Sequence, residues 1–122
     1  MLWIYIAAIG AVGLGVAHSF LGERYVFPRL LRCEDLPLLR RSREHTQSIL
    51  RWAWHLMSLA WFGFAYILFL IAMDRAPNAV ELSRIIGVVF GLTCVIAFAT
   101  TRGRHLAWPL LALVALASWF GV

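Results

Sequence analysis

The chain has 122 residues, 62% hydrophobic and only 14% charged, with a mean hydropathy of +0.81. A soluble domain of this size needs polar faces on its helices, and this composition leaves almost none to build them from. The formal net charge of +5 comes entirely from arginine, and because those arginines cluster between apolar runs they mark membrane-flanking loops and not a nucleic-acid surface.

Four uncharged apolar runs occupy residues 1–22, 52–73, 85–101 and 106–122. Each approaches the roughly 17–25 residues that a helix needs to cross a hydrocarbon core about 30 Å thick. The expected fold is therefore all-α: one domain, an integral membrane bundle of four transmembrane helices. Run one contains Gly15-Val16-Ala17, which resembles a signal-peptide cleavage site. No positive segment precedes it, so a retained helix is expected. Ala7, Ala11, Gly15, His18 and Gly22 share one stripe at spacings of three and four. Such stripes let helix backbones approach closely in lipid, here against a neighbouring helix or, alternatively, in a homodimer.

Residues 23–51 form the first basic connection, with Arg24, Arg29, Arg32, Arg40, Arg41, Arg43 and Arg51. Pro28 and the Cys33-Glu34-Asp35 cluster punctuate it. Pro37 suits the first turn of a new helix, with Glu34 and Asp35 near its positive end. The simplest expectation is one helix over 36–73, extended into the cytoplasm, with Leu36, Leu39, Thr46 and Leu50 against the membrane surface or the bundle. A break within 42–48 is the alternative. Residues 102–105, with Arg102 and Arg104, form the second basic connection. Arginine-rich loops stay cytoplasmic, so a multi-pass protein of the bacterial inner membrane with both termini periplasmic is expected. Cys33 and Cys94 offer no disulfide framework.

Asp74, Pro77 and Asn78 mark a polar turn before run three, where Gly87 and Gly91 again provide close-approach positions. Gly103 marks the tight basic turn, and Pro109 falls in the first turn of the last helix. Trp52, Trp54 and Trp108 near one interface, and Trp3, Tyr5 and Trp119 near the other, fit an aromatic belt.

The polar residues inside the runs carry any function. His18, His55 and His105 fall at similar depth, toward the basic end, whereas His45 lies in the exposed connection. Ser48, Arg51, His55, Ser58 and Phe62 form one stripe, which should turn inward because lipid offers polar groups no partner. Ser19, Glu23, Thr100, Thr101, Arg102 and Arg104 could join that layer. Its plainest reading is structural: histidines bonded to neighbouring helices, and Glu23 paired with Arg51 or Arg104. A second reading is a haem or transition-metal site on His18, His55 and His105, although no HxxxH, HxH or CxxC spacing supports it. A third is a lipid or quinone pocket in which arginines hold an anionic lipid head group. A fourth is a membrane enzyme using His18 or His55 with Glu23 as acid and base. All six acidic residues lie outside the centres of the runs, which argues against a proton-coupled exporter.

Three segments carry a resemblance: Ala17-His18-Ser19-Phe20-Leu21-Gly22-Glu23-Arg24, Leu50-Arg51-Trp52-Ala53-Trp54-His55, and Thr101-Arg102-Gly103-Arg104-His105-Leu106-Ala107-Trp108-Pro109. In them the chain resembles a group of short bacterial inner-membrane proteins with four spans. The resemblance covers almost the whole chain and implies that topology, with no activity, cofactor or partner attached to it. The reading from sequence is thus a non-enzymatic binding or accessory component of the lipid bilayer. Its polar layer comprises His18, Ser19, Glu23, Arg51, His55, Ser58, Thr101, Arg102, Arg104 and His105, serving a small ligand, anionic lipid head groups or a membrane-protein partner. A haem- or metal-dependent redox enzyme using the same histidines is the alternative.

Overall fold

The computed structural model describes residues 1–38 and 42–121. Leu39, Arg40 and Arg41 of the basic connection lie outside the described residues. Four helices follow in order, with no strand among the described residues: α1 (Leu2–Leu30), α2 (Arg43–Ala72), α3 (Ala79–Thr101) and α4 (Ala107–Phe120). The first three are long and apolar enough to cross a membrane. The fourth has 14 residues, a rise of about 21 Å that falls short of a 30 Å core. The apolar run over 106–122 is longer than its helix, because Leu106 still belongs to the preceding turn and Gly121 closes the helix.

Each helix packs mainly on its neighbours in sequence, α1 on α2, α2 on α3 and α3 on α4, and no extensive contact joins α1 to α4. The helices therefore stand in a row, with α2 and α3 inside. Few large side chains are buried, and α4 buries none. Leu2, Trp3, Ile9, Phe20, Leu110, Leu113 and Phe120 are all exposed. An outer surface this apolar is unfavourable in water and neutral among acyl chains, where packing holds helices together.

The first helix does not stop at Gly22 as its composition suggested. It passes through a π-helical turn at Gly22–Val26 and continues to Leu30, carrying Pro28 inside it. Proline has no N–H and crowds the preceding turn. The shift to a bond from the Phe27 N–H to the Gly22 carbonyl absorbs that break without ending the helix. Inward small positions on α1 are Ala8, Gly15 and Gly22, while Ala7 is exposed.

The second helix begins later than 36. Ser42 caps it, its Oγ accepting the His45 N–H at 3.2 Å. The preceding segment folds back instead of extending. Thr46 Oγ1 donates to the Pro37 carbonyl at 2.9 Å, and Arg43 donates to the carbonyls of Leu31 and Cys33, both at 2.7 Å. A guanidinium there satisfies turn carbonyls just beyond the negative end of α1. His45, expected in an exposed connection, is instead a buried residue of α2.

The third helix starts earlier than its apolar run, at a capping box formed by Asn78 and Glu81, with Arg75 paired to Glu81. It ends where Arg102 (φ 51°) and Gly103 (φ 71°) turn left-handed. Gly87 packs against the Ala115 carbonyl, and Ser83 Oγ donates to the Ser118 carbonyl at 2.6 Å, binding α3 to α4.

Candidate functional site

The facing stripes of α1 and α2 place five polar side chains in one hydrogen-bonded chain. His18 Nδ1 lies 3.1 Å from Ser58 Oγ, and Ser58 Oγ lies 2.9 Å from Ser19 Oγ. Ser19 Oγ lies 2.8 Å from His55 Nδ1, and His55 Nε2 lies 3.1 Å from Glu23 Oε1. Arg51 closes the chain, its Nη2 3.3 Å from Glu23 Oε2. On α1, Ser19 and Glu23 are one turn apart; on α2, Arg51, His55 and Ser58 repeat at four and three. That periodicity puts both sets on facing stripes.

The chain grades from buried to open. Ser58 is 2% exposed, whereas the side chains of Glu23 and Arg51 are 43% and 49% exposed. Its inner end is walled by aromatics: Trp54 stacks on His18 at 4.2 Å, and Trp61 meets the same ring edge-on at 5.0 Å. The Trp54 indole N–H donates to the His18 carbonyl at 2.9 Å. Gly22 makes this close approach available, because a Cβ there would overlap the Trp54 indole. Gly15 does the same for Phe62.

Proton counting allows two arrangements of the chain. With His55 neutral, Nε2–H donates to Glu23 and Nδ1 accepts from Ser19. Ser19 then accepts from Ser58, and Ser58 accepts the Nδ1–H of His18. With His55 as imidazolium, Nδ1–H donates to Ser19, Ser19 donates to Ser58, and Ser58 donates to His18 Nδ1. Every hydroxyl bond reverses between the two, and no heavy atom has to move.

Ser19, His55 and Glu23 resemble the serine, imidazole and carboxylate of an acyl-transfer site. Such a site needs free N–H donors to hold an oxyanion. Ser19 lies inside α1, where backbone N–H groups are committed to helical bonds. The backbone at Ser19 therefore offers no free N–H to an oxyanion.

The single layer expected from sequence is divided by α2. His105 does not join His18 and His55. It faces the buried His45 at 6.1 Å between ring centroids, with Trp52 edge-on at 5.4 Å. Its Nδ1 accepts the Ala107 N–H at 3.1 Å, capping α4. Thr101, Arg102 and Arg104 lie on this second side, lining a polar cavity between the start of α2 and the end of α3. Arg51 lines that cavity as well as pairing with Glu23, and so links the two sides.

This geometry does not fit the expected metal set of His18, His55 and His105. Among the described residues, no three His, Cys, Asp or Glu side chains gather closely enough to hold a metal ion. Both ring nitrogens of His55 are already engaged, by Ser19 and Glu23. Ligating iron through that ring would break the chain.

Sequence reading passed over Trp54 and Trp61 as site residues and assigned Trp54 to an interfacial belt. Their spacing of seven, on the face of His55 and Ser58, was the available signal. His45 was missed because it falls in the arginine-rich connection over 23–51, which composition marks as exposed. In comparison with known proteins, no family model, no curated protein and no solved structure matches the chain.

Proposed function

We propose that the chain is a small multi-pass protein of the bacterial inner membrane, with four spans, cytoplasmic arginine-rich connections and periplasmic termini. It belongs, on this reading, with the group of short four-span membrane proteins that its three segments resemble. Its role is that of a non-enzymatic binding or accessory component. The His18–Ser58–Ser19–His55–Glu23 chain shares protons between α1 and α2 at the inner leaflet, and Arg51 presents the outcome to a ligand or partner.

The unbroken run of contacts from a nearly enclosed serine to a solvent-reaching carboxylate carries this reading. Polar groups at membrane depth are unfavourable unless satisfied, and ionisable ones there commonly mark proton or ligand pathways. Here each imidazole and hydroxyl can both donate and accept, and the Glu23 carboxylate accepts. A proton gained by one imidazole is therefore registered at the other through the reversal of two hydroxyls. The carboxylate that pairs with Arg51 sits at the end of that line, so the charge competing with the guanidinium for Glu23 follows the state of the chain.

The test is nitrogen NMR of histidine-labelled protein in nanodiscs, which reads the tautomer of each ring. His55→Ala is expected to change the His18 ring-nitrogen signals, and in a Ser19→Ala background it should not. His18 signals that ignore His55→Ala in the otherwise unaltered protein would overturn the relay. Mild-detergent purification with lipid and protein identification on the same sample would then name what the site serves.

A further inference from the structure

We infer that the second polar cavity binds the phosphate group of an anionic phospholipid. The cavity has a volume of about 400 Å³ and lies between the first turns of α2 and the last turn of α3. Arg51, Arg102 and Arg104 line it together with Gln47, Ser48 and Thr100, against the single carboxylate of Glu44. Three guanidinium groups against Glu44 and the Glu23 that pairs with Arg51 still leave a net positive charge at a concave site. The Arg102 guanidinium has no hydrogen-bond or ion-pair partner among the described residues, its backbone N–H alone being bonded, to the Phe98 carbonyl. A planar fork of N–H donors matches phosphate oxygens two at a time. The Gln47 amide of the lining supplies a neutral donor for a remaining oxygen.

Depth favours a lipid source over a soluble one. The 30 residues of α2 rise about 45 Å, whereas the 23 of α3 rise about 35 Å. With the two helices paired across a core about 30 Å thick, the surplus of α2 is its arginine-bearing start. The cavity then falls at head-group level. Basic pockets between helices on the cytoplasmic side are suited to anionic head groups. That sidedness rests on the orientation proposed above; the phosphate chemistry of the cavity does not.

Thermal unfolding of the purified protein in neutral-detergent micelles tests the proposal. Micelles doped with phosphatidylglycerol are compared with phosphatidylcholine, and inorganic phosphate is compared with chloride at equal ionic strength. Phosphatidylglycerol is expected to raise Tm. Arg102→Gln, and the pair Arg102→Gln with Arg104→Gln, should remove most of that rise. Arg29→Gln with Arg32→Gln deletes the same charge outside the cavity and should keep it. A rise with the lipid alone confirms the head group, while an equal rise with inorganic phosphate keeps the phosphate chemistry and overturns the lipid as its source. No rise with either, or equal loss in the Arg29 and Arg32 control, overturns the site. These readouts are made in detergent, so they stand or fall independently of the membrane orientation.

Discussion

Gly22 lies directly beneath the Trp54 indole, which donates its N–H to the carbonyl of His18 one turn earlier. The absent side chain of one residue is thus what lets the other stack on the histidine ring that begins the hydrogen-bonded chain. The same carbonyl sits just before the π-helical turn that starts at Gly22. An inserted side-chain donor is a recognised cause of such departures from the regular ladder.

Gly22→Ala should therefore lower stability by about 1–3 kcal/mol, the usual range for overpacking a tight contact. Trp54 cannot swing away cheaply, since it is held by both the stack and the hydrogen bond. Gly13→Ala is the matched control, because nothing lies within 4 Å of a Cβ built there. It should be neutral or stabilising by up to about 1 kcal/mol, as alanine suits a helix interior better than glycine. Unfolding in detergent monitored by tryptophan fluorescence distinguishes them, and equal effects would refute the contact.

Ser58 is the buried hinge of the chain, touching both His18 and Ser19. Removing its hydroxyl leaves two enclosed polar groups short of a partner, which costs about 1–3 kcal/mol. Ser48 bonds the Glu44 carbonyl of its own helix at 2.9 Å, and water can replace it. Ser58→Ala is expected to lower Tm clearly more than Ser48→Ala. A reversed order would show that the serine network contributes nothing to holding α1 on α2.

The two histidines of α2 should separate by type of effect. His45 is buried beside His105, so His45→Ala should lower stability by an amount within the common range of about 0.5–3 kcal/mol. It should leave the His18 resonance unchanged. His55→Ala should shift the His18 ring-nitrogen signals, because it removes the link to Glu23. A change in the His18 signals on substituting His45 would contradict the division of the polar layer by α2.

Orientation is accessible through the native thiols. Cys33 is exposed in the basic connection, whereas Cys94 is part-buried, its Sγ 3.3 Å from the Trp108 carbonyl. In a Cys94→Ala background, a membrane-impermeant maleimide should label Cys33 in inverted vesicles and spare it in intact spheroplasts. Labelling in the spheroplasts would reverse the proposed topology.

The sequence by itself determined the helical class, the apolar spans in outline and the two stripes that hold the site. Those depend on composition and on a 3.6-residue period, both local properties. It paired Glu23 with Arg51 or Arg104, and identified His18, Ser19, His55 and Ser58 among the inward polar groups. Only the tertiary structure decided that His105 lies across α2 from His18 and His55, since depth along a helix carries no information about which face meets which neighbour. Helix ends were also beyond reach. The start of α2 depends on the Ser42 cap and on Thr46 and Arg43 bonding back to residues 31–37, and the persistence of α1 past Pro28 depends on a change of ladder that no propensity encodes. Contacts between residues roughly 40 positions apart, such as His18 with Ser58, exist only once two helices have chosen the faces they bury.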